Sequence, residues 1–227
     1  MGDVHGNTRA LHAVLSRMED VDLIYCLGDI VGIGPDPRGA LEMVQDDRRI
    51  RAVRGNHDHN TSFFTEFGPL RDIRRRPHHD WVRGELDEDM IRWLGRIPIL
   101  LTENISGMHI SFMHCHPKDI GAAVPFFEKE DPRLLEDFYA DVEGDLIFFG
   151  HTHRELDRIC GCGRRFLNPG PVGAENGGIA PYLIIEEGPP VRVIKGGTEY
   201  DLEVVRRELK CRKPPYHGFI LEHFYSR

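Results

Sequence analysis

The sequence predicts an α/β protein in which two mixed β-sheets pack face to face, with helices outside them. The first 58 residues alternate between apolar runs of strand length and amphipathic runs of helical spacing, which is typical of strand–helix–strand units. The second half holds several short apolar runs separated by Gly and Pro turns, which favours a second set of strands. Several apolar runs end in Asp, Asn or His, so we expect a ligand site at a sheet edge.

Each element of the first half is predicted from the spacing of its apolar residues. The first helix begins after Asn7 or Thr8, because either side chain can accept a hydrogen bond from the first helical turn. Apolar runs without alternation predict strands that are buried on both faces. In chain order we expect a helix from residue 8, a strand over 21–27, a helix from Pro37, a strand over 50–53, and a helical excursion over 60–96 with a helix from about Asp87.

The second half is predicted to carry most of the strands. A hairpin over 97–113 precedes a helix that starts at Asp131-Pro132, where Asp can cap the helix and Pro fits its first turn. The remaining elements are strands over 145–149, 156–159, 164–167, 179–186 and 191–194, a helix over 201–210, and a tail that docks on the body. We therefore expect one domain over 1–227, with the excursion at 60–96 above the site and a C-terminal helix and tail at 201–227.

The pair His151 and His153 gives the first indication of chemistry. Successive side chains of an extended backbone point to opposite sides, so these imidazoles share a side with about 7 Å between their Cβ atoms. Two-metal hydrolytic sites hold their ions about 3.5 to 4 Å apart, so one imidazole can serve each ion. Alone, such a pair is weak evidence in a chain with 13 histidines.

Residues of the metal-ligand type also follow four other apolar runs. The carboxyl ends of neighbouring strands meet at one edge of a sheet, so these side chains are expected to converge. Mixed carboxylate, amide and imidazole donors suit Mn, Fe, Co, Ni or Zn, and the lack of thiolate favours a catalytic site over a closed structural one. The complete set is Asp3, His5, Asp29, Asn56, His57, His114, His151 and His153.

The composition narrows the classes of partner. The formal net charge of -8 argues against extended nucleic-acid binding, which needs clustered Lys and Arg. No apolar run approaches the roughly 20 residues that span a bilayer, so we expect no membrane partner and a cytoplasmic location. Five cysteines lack disulfide or zinc spacing and are expected as reduced thiols, with Cys160 and Cys162 in a hairpin turn. The sequence does not decide between a monomer and a homo-oligomer.

These motifs, in this order, resemble the calcineurin-like metallophosphoesterase superfamily, in particular its small bacterial and archaeal phosphodiesterase-like branch. The resemblance covers nearly the whole chain and implies a four-layer αββα sandwich. The matching blocks are Asp3-x-His5, Gly28-Asp29, Gly55-Asn56-His57-Asp58, His114 and Gly150-His151-x-His153.

The resemblance also implies the cofactor, the mechanism and the substrate. Two divalent transition-metal ions are expected, Mn before Fe, Zn, Ni or Co: one ion on Asp3, His5 and His153, the other on Asn56, His114 and His151, with Asp29 bridging them. A hydroxide shared by the ions attacks phosphorus, His57 donates a proton to the leaving oxygen or stabilises its charge, and Asp58 orients the His57 ring. The expected substrate is a small phosphate ester, with phosphodiesters favoured over the monoesters of a phosphatase acting on the same site.

Two features depart from the family pattern. Only Met1 and Gly2 precede Asp3, where the family has an apolar strand, so the first strand is expected to be truncated. Either the true start lies upstream or another segment fills the gap, because an unfilled gap exposes backbone groups. Pro171 stands where the family has Ser after Asn168-Pro-Gly, which removes a hydroxyl and a backbone donor from any phosphate contact.

Simpler interpretations compete with these assignments. Asp29, Asn56 and Asp58 each fit an ordinary turn, and the basic run 71–76 fits a solvated helix face better than a phosphate clamp. The other histidines, His59, His78, His79 and His116, are expected to be solvated or locally bonded. A metal-dependent amidohydrolase barrel is a poor fit to 227 residues. A non-catalytic scaffold on the same fold is the alternative from another class.

Overall fold

The computed structural model describes residues 1–63, 76–120, 132–174 and 177–226. Its helices are α1 (Thr8–Ser16), α2 (Pro37–Asp46), α3 (Asn56–Phe63), α4 (Arg76–Gly84), α5 (Glu88–Arg96), α6 (Pro132–Phe138), α7 (Leu202–Arg212) and α8 (His217–Phe224). Its strands are β1 (Ile24–Cys26), β2 (Ile50–Ala52), β3 (Leu100–Ile105), β4 (Met108–Met113), β5 (Leu146–Phe148), β6 (Leu156–Ile159), β7 (Arg165–Asn168), β8 (Ile179–Glu186) and β9 (Arg192–Glu199).

The central sheet is mixed, as predicted. Five strands pair in the order β3-β4-β5-β7-β6, with parallel pairs on both sides of β5 and antiparallel pairs at both edges. β1 and β2 pair in parallel, and β8 and β9 form an antiparallel hairpin. The β6–β7 hairpin turns across Cys160 to Cys162, so that prediction is confirmed. β1 is three residues long, shorter than the predicted run over 21–27.

An apolar layer joins β1 to the five-stranded sheet. The ring of Tyr25 in β1 stacks on Phe112 in β4 at 3.8 Å between centroids, and Phe112 in turn stacks on Phe148 in β5 at 5.1 Å. Leu183 and Ile185 of β8 pack against the same cluster. Burying each large apolar side chain contributes about 1.5–3 kcal/mol. The layer therefore holds two sets of strands face to face, with α1, α2 and α6 in other apolar clusters.

Asp and Asn side chains cap the helices that the sequence predicts. Asn7 accepts a hydrogen bond from the backbone N–H of Ala10 in α1, and Asp87 accepts one from Met90 in α5. Asp201 caps α7 in the same way. Each cap contributes about 1 kcal/mol to helix stability. The expected helix start at Asp131 lies outside the described residues.

The first residues of the chain lie between two other segments. The backbone N–H of Leu27 donates to Met1 at 2.8 Å and that of Asp3 donates to Gly28 at 2.9 Å, while Val172 donates to Gly2 on the other side at 2.9 Å. Beyond Met1 a groove of about 560 Å³ lies between 22–25 and 183–185. The described residues leave this space open.

Two helices represent the predicted excursion in the described part of the chain, α4 and α5. Most of the basic run, 71–75, lies outside the described residues, and Arg76 at the start of α4 is exposed, with its Nε 3.8 Å from a carboxylate oxygen of Asp80. Among the described residues, none of the helices has the length and apolar character needed to cross a bilayer.

Candidate metal centre

The structure brings the predicted ligand residues together at one edge of the sheets. Three groups have ligand atoms that all lie within 4.8 Å of one another. Asp29 follows β1, Asn56 begins α3 after β2, His114 follows β4, and His151 follows β5. The groups are Asp3 with His5 and His153; Asp29 with His114 and His151; and His5 with Asp29 and His57.

The first group contains two imidazoles in direct contact. The Nε2 atoms of His5 and His153 are 2.8 Å apart, and His153 Nε2 is 3.7 Å from Asp3 Oδ1. Asp3 and His5 are fully buried. Two ring nitrogens and a carboxylate oxygen thus face the same small volume, as three ligands of one ion would.

The second group converges on the amide of Asn56. Its Oδ1 lies 2.9 Å from His114 Nε2 and 2.7 Å from His151 Nδ1, and these two nitrogens are 3.2 Å apart. The Nδ1–H of His114 donates to the carbonyl of Leu27 at 2.7 Å. This backbone contact fixes the ring so that Nε2 faces the group, as the outer partner of a metal-binding histidine does.

Asp29 lies between the two groups. Its Oδ2 is 3.3 Å from His114 Nε2 in one group and 3.8 Å from His5 Nε2 in the other. Its Oδ1 accepts a hydrogen bond from the backbone N–H of His57 at 2.8 Å. One carboxylate therefore has access to both groups, which is the position required of a bridging ligand.

The buried polar atoms of the site show whether its residues fit metal ions, because some of these atoms have no hydrogen-bond partner. Asp3 Oδ2 and His5 Nδ1 are buried and have none. An unpaired buried polar group costs about 1–3 kcal/mol. Two imidazole nitrogens also lie only 2.8 Å apart. Divalent ions would bind these nitrogen and oxygen atoms better than the hydrogen bonds within the site do. The residues therefore fit a pair of ions.

The backbone at the site is left-handed where the sequence predicts an extended chain. His151 and His153 have φ values of 68° and 54°, so the extended geometry expected for this pair is wrong. Each imidazole nevertheless belongs to a different ligand group. Asp3, His5 and Asp29 share the conformation, with φ between 51° and 54°. Left-handed backbone costs about 1–2 kcal/mol per residue, and such strain concentrates at functional sites.

The site also perturbs the protonation of its side chains. Burial alone would lower the pKa of His114, but the carboxylate of Asp29 raises it to about 9. Burial alone would raise the pKa of Asp29, but facing His114 and His57 lower it well below its usual range. Burial lowers the pKa of His57 to about 3 and that of His151 to about 4. His151 is therefore neutral at pH 7, the state in which imidazole binds metals, whereas a metal ion would have to displace the proton that Asp29 stabilises on His114.

Asp58 is buried but does not orient the ring of His57, contrary to the sequence prediction. Its Oδ1 accepts the backbone N–H groups of Ile30 and Val31 at 2.9 and 3.1 Å, and its Oδ2 accepts that of Gly55 at 2.9 Å. The Nδ1 of His57 is buried without a partner. Asp58 instead ties the loop after β1 to the start of α3, and so holds Asp29 and Asn56 in place.

The position of His57 depends on a close approach of Gly32. The rings of His57 and His5 are 5.0 Å apart between centroids, edge to face. A Cβ atom at Gly32 would lie 2.8 Å from the Nδ1 atoms of both rings, and the φ of Gly32 is 140°. Only glycine fits this space and this conformation. The sequence shows the glycines of the segment Gly28 to Gly32, but it does not predict that Gly32 contacts the rings of His5 and His57.

Two histidines expected to be solvated or locally bonded are buried. The ring nitrogens of His78 lie 3.0 Å from the carbonyl oxygen of Gly32 and 3.1 Å from that of Pro215. His116 Nε2 lies 2.7 Å from a carboxylate oxygen of Asp141. Both expectations are wrong for these two residues, because the rings are buried and their partners lie between 25 and 137 positions away in the sequence. His78 thereby fixes α4 beside the metal centre.

A pair of ligand groups with a shared carboxylate, at the edge of an α/β sandwich, defines a candidate dinuclear centre of the kind that serves phosphoryl chemistry. The chain belongs to the calcineurin-like phosphoesterase superfamily: the model of the calcineurin-like phosphoesterase superfamily domain matches residues 1–188. The predicted family and fold are thus confirmed, and the family acts on phosphoesters.

Known proteins agree with this assignment. The uncharacterized protein MJ0912 of Methanocaldococcus jannaschii is 29% identical, over 94% of this chain and 88% of that protein. A metallophosphoesterase from Sphaerobacter thermophilus has a similar structure, with a TM-score of 0.76, 25% identity, and coverage of 97% of this chain and 95% of that one. The symmetrical bis(5'-nucleosyl)-tetraphosphatase of Pectobacterium atrosepticum is 32% identical over 44% of this chain, which is 37% of that protein.

Proposed function

We propose that the protein hydrolyses small phosphate esters, phosphodiesters above all, at a dinuclear centre of divalent transition-metal ions. In this proposal Asp3, His5 and His153 hold one ion. Asn56, His114 and His151 hold the other. Asp29 bridges the two, and Mn²⁺ is the ion of first choice among Mn, Fe, Co, Ni and Zn, all of which suit ligands that mix oxygen with imidazole nitrogen.

The position of Asp29 is the observation that carries the proposal. A structural site needs one closed ligand set, whereas here a single carboxylate lies 3.3 Å from a nitrogen of one group and 3.8 Å from a nitrogen of the other. Two ions that share a ligand are held close enough to act on one phosphate. A scaffold that binds partners without catalysis has no need of this shared ligand.

The bound ions and the carboxylates around them would have different roles in catalysis. When bound, the ions supply Lewis-acid polarisation of the phosphoryl oxygens and lower the pKa of an attacking water. Asp3 and Asp29 leave the pocket positive, since two carboxylates offset only half the charge of two divalent ions. The positive pocket favours an anionic substrate despite the net charge of -8.

His57 is the residue proposed to act on the leaving oxygen, by donating a proton or, with the neutral ring that its lowered pKa gives, by stabilising the developing charge through a hydrogen bond. Its backbone N–H is held by Asp29 at 2.8 Å, and its ring packs edge to face on His5. Its Nδ1 has no protein partner. The ring is thus placed beside both ligand groups with polar capacity unused, which suits a group that stabilises charge developing on the substrate.

The preferred substrate class is tested by a metal-supplemented screen. The purified protein, with bound metal quantified, is given phosphodiesters, phosphomonoesters, cyclic nucleotides and bis(5'-nucleosyl) tetraphosphate, the last because of the name of a distant relative. We expect diester hydrolysis that is strongest with Mn²⁺ and disappears on chelation. Preferential hydrolysis of monoesters would replace the diester assignment with a phosphatase. No hydrolysis by protein with two bound ions would favour the scaffold.

A further inference from the structure

The tail of the chain forms one wall beside the candidate metal centre. The match to the family model ends at residue 188, so α8 lies outside it. The ring of Phe224, at the end of α8, is 6.5 Å from the ring of His153 between centroids, at 71° between planes. The tail therefore places an aromatic side chain next to a proposed ligand of the first ion.

A second phenylalanine extends this wall away from the ions. Phe219 is 54% exposed, and its ring is 6.3 Å from that of Phe224, at 68° between planes. The ring of His223, one helical turn later, stacks on Phe219 at 3.8 Å between centroids, with only 19° between the planes. The three rings thus form a corner that is exposed to solvent through Phe219, and His153 lies at its inner end.

The helix that carries the corner is firmly attached to the metal centre. Ile220 and Tyr225 are buried, and the Tyr225 hydroxyl donates to the carbonyl of Gly173 at 2.7 Å. The backbone N–H of Gly173 in turn donates to the carbonyl of Asp3 at 2.9 Å. Two hydrogen bonds therefore connect the end of α8 to a proposed ligand. An exposed ring held in this way is preorganised for binding, because little side-chain freedom is lost.

A single exposed apolar residue is common on protein surfaces. We therefore compare Phe219 with Phe63, a phenylalanine of similar exposure elsewhere in the chain. Phe63 is 48% exposed at the end of α3, and its ring packs on His59 at 4.8 Å and beneath the guanidinium of Arg54 at 4.8 Å. Its ring also lies against α5, 3.6 Å from where a Cβ at Gly95 would be. Phe219 differs because its row of ring contacts leads to His153.

We propose that Phe219 and Phe224 form a stacking surface for a planar aromatic group of the substrate, such as a nucleobase, whose phosphate lies at the metal centre. This inference rests on the proposed phosphate site and narrows its substrate class to nucleotide-like esters. Two rings at 68° offer a face and an edge, which is how aromatic groups pack on one another. Stacking of a base on an aromatic side chain contributes about 1–3 kcal/mol.

Calorimetric binding to the Mn²⁺-loaded protein tests the proposal without turnover. The two probes are adenosine 5'-monophosphate and ribose 5-phosphate, which share the sugar phosphate and differ in the base. We expect the nucleotide to bind roughly 5- to 150-fold more tightly, the affinity ratio that corresponds to 1–3 kcal/mol. Phe219→Ala and Phe219→Leu should reduce this ratio towards one, and Phe219→Trp should keep it.

Phe63→Ala is the matched control, because it removes a phenylalanine of similar exposure elsewhere and should leave the ratio unchanged. Thermal melting verifies that each variant is folded. Equal binding of both probes, or an unchanged ratio in Phe219→Ala, overturns the stacking surface alone. The stacking surface is also overturned if Phe63→Ala loses the affinity ratio and Phe219→Ala keeps it, because the base would then bind at α3. Absence of binding by both probes overturns the phosphate site and the stacking surface together.

Discussion

Replacing Asp29 by Asn should remove both metal ions, whereas replacing Asp3 by Asn should remove one. The reason is the reach of each carboxylate: Asp29 lies 3.3 Å from His114 Nε2 in one proposed ion site and 3.8 Å from His5 Nε2 in the other. Asp3, by contrast, is grouped with the ligands of one site. Asn keeps the size of the side chain and an oxygen that can accept the His57 N–H, so the change is confined to the charge and its donor strength. His57→Ala should keep both ions, because His57 faces the groups without serving as a proposed ligand.

The size of the effect follows from mass action. An ion present at 100 times its dissociation constant stabilises the folded state by about 2.7 kcal/mol, so two ions give about 5 kcal/mol. In a chain of this size 1 kcal/mol shifts the melting temperature by roughly 2–4 °C. Mn²⁺ should therefore raise the melting temperature of the parent protein by about 10–20 °C, that of Asp3→Asn by about half as much, and that of Asp29→Asn hardly at all.

The assay measures bound metal by elemental analysis and the melting temperature with and without Mn²⁺. Comparing the two temperatures for each variant cancels the effect of the substitution on the metal-free protein. Asp157→Asn is the matched control, since it removes a carboxylate that pairs with Arg165 on the surface. An Asp29→Asn protein that retains two ions would refute the shared-ligand geometry, as would a loss in Asp3→Asn equal to that in Asp29→Asn.

Three further results are expected. His57→Ala should lower turnover by about 10²–10⁴-fold, the usual contribution of a positioned proton donor, and full activity with both ions bound would exclude that role. Burial raises the pKa of Cys26 to about 12, so at pH 8 a thiol reagent should modify exposed Cys162 and Cys211 rapidly and Cys26 only on unfolding; rapid labelling of Cys26 in the folded protein would contradict its burial. An engineered extension of five apolar residues ahead of Met1 should raise the melting temperature by filling the groove beside β1. An unchanged melting temperature would show that the groove does not accept this strand, and equal stabilisation by a polar extension of the same length would show that apolar burial is not the cause.

The sequence predicts the elements well where local rules govern them. Helix caps at Asn7, Asp87 and Asp201 are readable because the side chain bonds to its own first turn. The ligand residues are readable because the motifs place them after apolar runs, and the carboxyl ends of these runs meet. The spacing of the motifs thus identifies the residues that converge, although not their conformation.

Non-local contacts account for what the sequence does not predict. The left-handed backbone of His151 and His153 replaces the extended chain that the apolar run suggests, because surrounding groups rather than local propensity hold those residues. Asp58 was expected on the ring of His57, but its carboxylate accepts hydrogen bonds from three backbone N–H groups instead. The approach of Phe224 to His153 joins residues 71 positions apart, 153 to 224, and no period in the sequence indicates it.

Diffraction from crystals of the Mn²⁺-loaded protein, measured at a wavelength where manganese scatters anomalously, tests the dinuclear centre most directly. The proposed dinuclear centre predicts two anomalous peaks about 3.5–4 Å apart, with Asp29 between them, His153 beside one and Asn56 beside the other. A single peak, or peaks outside the reach of these side chains, would contradict the proposed centre.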